Sequence, residues 1–276
     1  MPAALPSLPE LCMRSKSWLV LFLAACLLLL PSASPAQQYE PSVGQPGKDV
    51  IWVPTDEKLV EAMLDLAKVT PGDFLIDLGS GDGRIVIAAA KHGARALGVE
   101  YNSDMVALSR RNAEKAGVAQ KASFEQADIF EIDLSKATVI TMYLLQHLNL
   151  RLRPSILKLK PGTRVVSHAF DMGDWEADQT VQKEGRTAYL WIVPARVEGS
   201  WAWKTDNSTA ELTLTQKFQK ISGTLNGNGI TNPILNGDQI SFTAGNSKYS
   251  GRVIGNTIEG TVQSGGNTQN WHATLR

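Results

Sequence analysis

Short apolar runs alternate with helical stretches between residues 73 and 170, and this alternation limits the fold more than any other feature of the chain. The predicted strands cover residues 73–78, 95–100, 122–127, 138–143 and 163–170, and the predicted helices cover 83–92, 103–116 and 146–158. Strands separated by helices are typical of a parallel sheet with crossover helices. Two further predicted strands, 187–195 and 197–204, have no helix between them and suit an antiparallel edge of that sheet. The pattern therefore predicts an α/β fold.

From about residue 206 the pattern changes to short alternating runs that are separated by glycine turns, with no helical stretch. The predicted strands here are 211–218, 238–243, 248–255, 257–262 and 269–276. The related segments 237-GDQI-240 and 255-GNTI-258 predict two similar hairpins rather than a repeat array. We therefore divide the folded part into an α/β domain, residues 51–205, and a small C-terminal all-β domain, residues 206–276.

An apolar run of 13 residues, 18–30, follows Arg14 and Lys16 near the amino terminus. Such a run is shorter than the roughly 20 residues of a membrane-spanning helix and suits the apolar part of a secretory signal. Small residues lead up to Ala36, as they do before a signal cleavage site. We therefore predict a signal peptide over residues 1–36, transient membrane contact through it, and an exported protein, periplasmic or secreted.

Two alternatives stay open at this end of the chain. Met13 heads a basic leader of its own and is a second candidate for the true start. The segment 23-LAAC-26 resembles a lipoprotein box, with Cys26 as the lipidated residue, although four leucines continue the apolar run after it. Lipidation is the minor interpretation, because a mature lipoprotein normally becomes polar at that point.

Residues 37–50 are rich in Gln, Pro and Gly and are predicted to form a polar linker. They lead into a helix that Thr55 is predicted to cap, with Asp56 and Glu57 in its first turn. The folded part of the chain is therefore expected to begin near residue 51.

Composition argues against several classes of function. Lysine plus arginine and aspartate plus glutamate both number 27, and this zero formal charge gives no broad electrostatic footprint for nucleic acid. The two cysteines, Cys12 and Cys26, both fall in the predicted leader, so the mature chain has no thiolate for a disulfide or a metal site. The four histidines are widely dispersed, which argues against a zinc centre.

A glycine-rich turn, 77-DLGSGDG-83, joins the first predicted strand to the next helix and lets a ligand lie against the backbone. In a dinucleotide-binding loop the third glycine comes one place later, and the helix amides bind a pyrophosphate. Here Asp77 and Asp82 bracket the turn, and two carboxylates repel phosphate but tolerate an ammonium and a sulfonium. The predicted ligand is S-adenosylmethionine. The candidate binding residues in the turn are Asp77, Gly79, Ser80, Gly81 and Gly83.

Two more acids stand at the ends of successive predicted strands. Glu100 ends the second strand, where a carboxylate can accept both hydroxyls of a ribose. Asp128 follows the third strand, where it can accept from the exocyclic amine of adenine while Ile129 provides an apolar wall. Either acid alone is explained as a solvent-exposed side chain at the end of a strand. Three acids at three successive strand ends favour a cofactor pocket.

The segments 52-WVPTDEKLVEAML-64 and 77-DLGSGDGRIVIAAAKHGARALGVEYN-102 are similar to the class I methyltransferases grouped with the lysine methyltransferase of the mitochondrial ATP synthase c subunit. The resemblance covers about residues 52 to 195. It implies a Rossmann-like seven-stranded methyltransferase sheet and S-adenosylmethionine as the cofactor. It also implies a lysine side chain as the methyl acceptor.

The segment 141-TMYLLQHLN-149 occupies the place where such enzymes face the reacting nitrogen, although it resembles the mitochondrial members only loosely. Tyr143 is a candidate to orient the amine and Asp171 a candidate to accept its proton. The alternative is that Tyr143 and Leu144 are core residues and that Asp171 caps the next turn.

Three functions follow as hypotheses. The first is a protein-lysine N-methyltransferase, and the second is a methyltransferase of a small molecule or an envelope component. The third is an exported ligand-binding or protein-binding module without turnover. The expected partner is a protein or small-molecule acceptor, and no nucleic acid is expected.

Overall fold

The computed structural model of the protein describes residues 1–4, 39–205 and 209–276, and all helices and strands below lie in the unit Glu40–Arg276. The predicted signal peptide cleavage site, its apolar run and Cys26 fall outside the described residues. Within the described part, no helix has the length and apolar character that a membrane crossing requires.

The first sheet has seven strands in the order β3-β2-β1-β4-β5-β7-β6. Its strands are β1 Phe74–Leu78, β2 Arg95–Glu100, β3 Ala122–Gln126, β4 Val139–Met142, β5 Arg164–His168, β6 Gln179–Lys183 and β7 Arg186–Ile192. The helices are α1 Glu57–Leu66, α2 Arg84–Lys91, α3 Ser103–Lys115 and α4 Gln146–Ile156. Strands β1 to β5 run parallel, whereas β7 is antiparallel to both of its neighbours. The Rossmann-like α/β prediction is confirmed.

The strand order reverses at β1, because β2 pairs on one side of it and β4 on the other. In an open α/β sheet such a reversal leaves a crevice at the carboxyl ends of the strands, and ligands bind there. Strand β1 is apolar except for Asp77 and is buried except at Phe74, since helices cover both faces of a parallel sheet. The fold thus provides a rigid base under the glycine-rich turn that follows β1.

The cap of the first helix differs from the sequence prediction. Asp56, and not Thr55, caps α1, with its carboxylate accepting from the Lys58 amide at 2.9 Å. Thr55 turns inward instead, and its hydroxyl is hydrogen-bonded to Nδ1 of His168 at 3.0 Å. The cap moves by one residue because the buried hydroxyl of Thr55 is engaged by the end of β5.

The prediction that 197–204 forms an edge of the first sheet is wrong. The strand there, β8 Gly199–Thr205, pairs with β9 and β16 in a second sheet. The edge of the first sheet is β6, whose residues are mostly exposed and gave no apolar pattern. Trp201 and Trp203 bury their side chains in the second core, and this burial decides the sheet to which β8 belongs. We therefore place the seam between the domains before β8, near residues 194–198, and not at residue 205.

The second sheet has nine antiparallel strands in the order β11-β10-β9-β8-β16-β15-β14-β13-β12. Its strands are β8 Gly199–Thr205, β9 Thr209–Lys217, β10 Lys220–Leu225, β11 Asn228–Gly229, β12 Thr231–Asn236, β13 Gln239–Ala244, β14 Ser247–Ile254, β15 Thr257–Ser264 and β16 Asn267–Leu275. Strands β10 and β12 approach each other with Cα atoms within 8 Å, although they lie near opposite ends of this order. The sheet therefore curls round one core, and the all-β prediction is confirmed.

The two related glycine segments of the sequence form similar turns. Gly237 lies between β12 and β13, Gly255 lies between β14 and β15, and both have a φ of +58°. The sequence prediction missed β10, β11 and β12. Many of their residues are exposed, so the alternation of apolar and polar residues is weak there.

Candidate active site

A cavity of about 700 Å³ opens at the carboxyl ends of β1, β2 and β4. It is lined by the glycine-rich turn, by the strand ends and by residues 45–55, which precede α1. The predicted site residues that line it are Asp77, Gly79, Ser80, Gly81, Glu100, Asp128, Ile129 and Tyr143. Gly83 and Asp171 are not among the lining residues.

The glycines of the turn have positive φ angles, and two of them make room for aromatic rings. A Cβ on Gly81 would lie 2.7 Å from Nε1 of Trp52, and a Cβ on Gly83 would lie 2.7 Å from the ring of Phe124. Gly83 is also the left-handed residue that precedes α2. Its role is therefore to let α2 pack against β3, whereas the sequence prediction gave it direct contact with the cofactor.

Side chains of α3 hold the backbone of the turn. The hydroxyl of Ser109 donates to the carbonyl of Gly81 at 2.7 Å, and Nδ2 of Asn112 donates to the carbonyl of Asp82 at 2.9 Å. The sequence prediction missed both residues. A serine at the buried face of an amphipathic helix was the available signal, because a buried polar side chain needs a partner.

The carboxylate of Glu100 is fixed by two backbone amides. Gly81 donates to Oε2 at 3.0 Å, and Asn102 donates to Oε1 at 2.9 Å. A carboxylate has about four acceptor positions, so both oxygens keep a lone pair for another donor. Glu100 thus links the turn to the end of β2 and retains the capacity to accept the two hydroxyls of a ribose.

Asp77 is a buried acid without a cationic partner among the described residues. The pKa of Asp77 is raised to about 7, mainly by burial, while the hydroxyl of Thr141, which donates at 2.7 Å, lowers it and the charges of Asp82 and Glu100 raise it. An ammonium ion bound beside this carboxylate would offset the cost of its desolvation. Ser80 Oγ is also buried and has no hydrogen-bond partner in the described part of the chain. These unsatisfied groups fit the amino-acid end of S-adenosylmethionine.

Asp82 does not share this situation, because its carboxylate is paired with Arg84. The Nη2–Oδ2 distance is 2.5 Å, and Nη1 of Arg84 also donates to the carbonyl of Thr55 at 2.7 Å. The sequence pattern predicts that Asp77 and Asp82 both face the ligand. In the structure Asp82 ties the turn to the segment before α1, and Asp77 alone is left to bind a cation.

Residues 44–52 form a small hairpin at the cavity, within and beyond the predicted linker. The backbone amide of Trp52 donates to the carbonyl of Gln45, and that of Gly44 donates to the carbonyl of Trp52, both at 2.9 Å. We call this segment the cover hairpin, since residues 45–52 line the cavity.

Lys48 at the tip of the cover hairpin reaches the predicted adenine acid. Its Nζ lies 2.6 Å from Oδ2 of Asp128 and 4.6 Å from the centre of the Tyr101 ring. The hydrogen bond from Lys48, followed by one from the amide of Phe130, holds the pKa of Asp128 below its usual value. Asp128 is therefore ionised, and its carboxylate oxygens already accept hydrogen bonds from Lys48 and from the amide of Phe130.

Aromatic side chains surround the other end of the cavity. The ring of Tyr143 stacks on that of His168 with centroids 3.8 Å apart, and the ring of Phe170 lies 6.4 Å from that of Tyr143. Burial, followed by the charge of Arg186, lowers the pKa of His168 to about 4. His168 is thus a neutral ring at physiological pH, and Thr55 fixes its orientation.

Asp171 lies outside the cavity lining and caps a turn. Its Oδ1 accepts from Nε2 of Gln146 at 2.5 Å and from the amide of Gly173 at 2.9 Å. These contacts agree with the alternative that Asp171 caps the turn after β5. The described residues also contain no cluster of acids, histidines and cysteines that could hold a metal ion.

Comparisons with known proteins agree on the chemistry of this site. The family described as the ANTKMT methyltransferase domain matches residues 77–179. A protein-lysine N-methyltransferase of Saccharolobus islandicus is 45% identical over 151 residues, which are 52% of this chain and 94% of that protein. The Mus musculus lysine N-methyltransferase of the ATP synthase c subunit is 33% identical over 146 residues, which are 52% of this chain and 59% of that protein.

A solved structure of a methyltransferase with the product of the methyl donor bound is also similar to this chain. The RNA methyltransferase from Salinibacter ruber in complex with S-adenosyl-L-homocysteine is 53% identical, covers 52% of this chain and 96% of its own, and superposes with a TM-score of 0.51. The chain is therefore an enzyme that uses S-adenosylmethionine. It belongs to the lysine methyltransferase family within the class I methyltransferases.

Proposed function

We propose that the enzyme transfers a methyl group from S-adenosylmethionine to the side-chain amine of a lysine in another protein. The observation that carries this proposal is the aromatic end of the cavity, where Tyr143 and Phe170 face the space beyond Asp77. Aromatic faces attract an ammonium group and pack well against the alkyl stem of a lysine. The names of the Saccharolobus and mouse relatives support the same acceptor.

We assign each part of S-adenosylmethionine to different residues of the cavity. We assign the amino group to Asp77, the ribose hydroxyls to Glu100, and the adenine ring to Asp128 and Ile129. The backbone of Gly79, Ser80 and Gly81, which also lines the cavity, would hold the remainder of the molecule. When bound, S-adenosylmethionine supplies a methyl group on a sulfonium, and in-line displacement breaks the sulfur–carbon bond as the nitrogen–carbon bond forms. Alignment of the two reactants is the main contribution that the protein makes to such a step.

A lysine amine must lose its proton before it attacks, since its reference pKa is about 10.4. Apolar surroundings favour the neutral amine, and Leu144, Leu145 and Leu148 line this end of the cavity. His168 stays neutral and adds no positive charge beside the nitrogen. The pocket therefore favours the reactive form of the acceptor without a dedicated carboxylate base.

RNA is a second candidate acceptor, because the Salinibacter relative is described as an RNA methyltransferase. Two basic side chains at the cavity are each paired with an acid, Lys48 with Asp128 and Arg84 with Asp82. Paired cations contribute little to phosphate binding, and the formal net charge of the chain is zero. These observations favour the protein acceptor over the RNA acceptor.

The test is methyl transfer from isotope-labelled S-adenosylmethionine to three separate fractions of the host: proteins, RNA and small molecules. We expect label in protein, on lysine by mass spectrometry, with release of S-adenosylhomocysteine. Glu100→Ala, for which we expect weaker cofactor binding, serves as the control with reduced transfer at a limiting concentration of S-adenosylmethionine. Label that ribonuclease removes would favour the RNA acceptor, and release of S-adenosylhomocysteine with the small molecules alone would favour a metabolite. No release with any fraction would contradict turnover.

We also propose that the protein is exported, with cleavage after Ala36 and a mature chain that begins at Gln37. The basic residues before the apolar run and the small residues before Ala36 support this proposal. Mass spectrometry of the protein from its native host should find Gln37 at the amino terminus. An intact leader would contradict the proposal, and a diacylglyceryl group on Cys26 would replace it with lipidation.

A further inference from the structure

We propose that the turn between β9 and β10, residues 217–220, positions the acceptor side of the active site, with Phe218 as its main positioning residue. We call this turn the bracing turn. It belongs to the second sheet, and it contacts the loop of residues 169–178 that joins β5 to β6 in the first. The proposal rests on the proposed function, because that loop carries Phe170 to the acceptor end of the cavity.

The loop has little regular structure to hold it in place. A single β-bridge joins Met172 to Trp175, and Ala169 adopts a left-handed φ of +66° directly before Phe170. Trp175 is fully buried, and its carbonyl accepts from the indole of Trp191 at 2.7 Å. Asn149 of α4 holds the Phe170 end of the loop, since its Nδ2 donates to the carbonyls of Phe170 at 3.0 Å and Asp171 at 3.3 Å. The Trp175 end depends more on what packs against it from outside.

Phe218 supplies that packing. Its ring stacks on Trp175 with centroids 5.7 Å apart and an angle of 19° between the planes. The guanidinium of Arg153 lies 5.4 Å from the same ring and also donates to the carbonyl of Met172 at 2.8 Å. One aromatic side chain from the second sheet thus contacts both the loop and the arginine that binds the loop backbone.

The neighbours of Phe218 add polar contacts to the same loop. Lys217 pairs with Asp174 at 3.4 Å and Lys220 with Glu176 at 2.6 Å, while Nε2 of Gln219 donates to the carbonyl of Glu176 at 2.8 Å. Exposed ion pairs of this kind each contribute little to stability. Together they fix the register of the bracing turn along the loop, and Phe218 lies between them.

The backbone of the bracing turn is unusual for its sheet. Phe218 has a φ of +55°, whereas the left-handed positions in the turns after β12, β13, β14 and β15 include the glycines Gly237, Gly245, Gly255 and Gly265. A positive φ is costly for a bulky residue and persists only where surrounding contacts hold it. Gln216 provides such a contact, since its Nε2 donates to the carbonyl of Phe218 at 2.7 Å. The contacts of the Phe218 ring with Trp175 and Arg153 explain why a phenylalanine occupies this strained position.

The experiment compares Phe218→Gly with Phe218→Tyr in the full chain. Glycine removes the ring but suits the left-handed backbone, so the hairpin itself is kept, and tyrosine keeps the ring. For Phe218→Gly we expect at least tenfold faster amide hydrogen exchange in residues 169–178, with S-adenosylmethionine affinity within twofold of the parent protein. Phe218→Tyr should restore slow exchange. Ile234→Gly, an exposed change elsewhere in the second sheet, is the control.

The acceptor arm uses total host protein as the probe and measures release of S-adenosylhomocysteine. For Phe218→Gly we expect at least a fivefold rise in the half-saturating amount of host protein, with a smaller change in the maximal rate. Unchanged exchange in the loop would overturn the bracing contact. Faster exchange with unchanged half-saturation, or a parallel loss of cofactor affinity, would overturn its role on the acceptor side. Absence of transfer by the parent protein would instead contradict the proposed function, and the exchange result would still decide the contact.

Discussion

The ammonium of Lys48 lies 2.6 Å from the carboxylate of Asp128, so the cover hairpin is attached to the end of the first sheet beside the adenine site. The two residues are 80 positions apart in the chain. Their contact holds the segment before α1 at the cavity that we assign to the cofactor, which must enter and leave at every turnover. The cover hairpin is thus expected to control exchange of the cofactor more than the chemical step.

Lys48→Met should speed dissociation of S-adenosylmethionine several-fold, because the hairpin loses the ion pair at its tip. Stopped-flow measurement of tryptophan fluorescence can follow the rate, since Trp52 lies on the same hairpin. Lys58→Met is the matched control, as Lys58 forms an exposed ion pair with Glu184 away from the cavity lining. Equal dissociation rates in the parent protein and in Lys48→Met would show that the contact does not hold the cofactor in place.

Glu100→Ala should weaken S-adenosylmethionine binding by about 1.5 to 3 kcal/mol, the range for hydrogen bonds to a charged group. Two effects add, because the change removes the ribose acceptor and releases the amides of Gly81 and Asn102. Calorimetric titration of each folded variant measures the loss. Asp65→Ala and Glu114→Ala, on exposed helix faces, should bind as the parent protein does. An unchanged affinity in Glu100→Ala would place the ribose elsewhere.

Cofactor affinity should fall as the pH is lowered from 7.5 to 6, because Asp77 has a pKa of about 7 in the free protein. Above this pKa the carboxylate is ionised and attracts the ammonium. Below it the acid is protonated, and binding must release that proton, so affinity drops by about tenfold for each pH unit. Calorimetry in buffers of different ionisation enthalpy measures both the affinity and the released proton.

Two substitutions in the hydrogen-bonded pair of Asp77 and Thr141 are the controls for this pH dependence. Asp77→Asn should bind weakly with almost no change over the range, since it has no proton to release. Thr141→Val removes the hydroxyl that favours the ionised form and should move the transition to higher pH. A flat profile in the parent protein would contradict a cationic group bound at Asp77.

Gly83→Ala should lower the free energy of unfolding by clearly more than Gly117→Ala. Both glycines have a positive φ, +83° and +71°, so an alanine is strained at either position, by about 1 to 2 kcal/mol. A Cβ at Gly83 would also meet Phe124 at 2.7 Å and Ser109 at 2.9 Å, whereas Gly117 has open space. Urea unfolding of the two variants isolates the steric part. Equal losses would mean that α2 shifts without cost.

The pattern of the sequence predicted the first sheet and the place of the site because both depend on local order. Parallel strands joined by helices bring their carboxyl ends together, so Asp77, Glu100 and Asp128 were expected at one edge, and all three line the cavity. That expectation needed no knowledge of side-chain contacts. It did not reveal that Asp128 carries a lysine partner or that Asp82 is neutralised.

The parts that the sequence did not predict depend on contacts between distant residues. Ser109 and Asn112 read as ordinary helix residues until α3 is placed beside the glycine-rich turn. The assignment of β8 to the wrong sheet has a similar origin, since residues 187–204 show one nearly continuous strand pattern. Pro194 was the available signal for a break, because proline cannot donate to a sheet and is found at strand ends.

The nine-stranded sheet also has a consequence for how the protein comes to be folded. Strand β8 is the first of this sheet to be synthesised, but one of its two neighbours is β16, and seven other strands lie between them in the chain. Pairing of such distant segments is slow because a long stretch of chain must be ordered first. The first sheet can form strand by strand as the chain is synthesised. Trp201 of β8, in contrast, pairs with Leu275 of β16, so its part of the second core is complete only after the last strand has been synthesised.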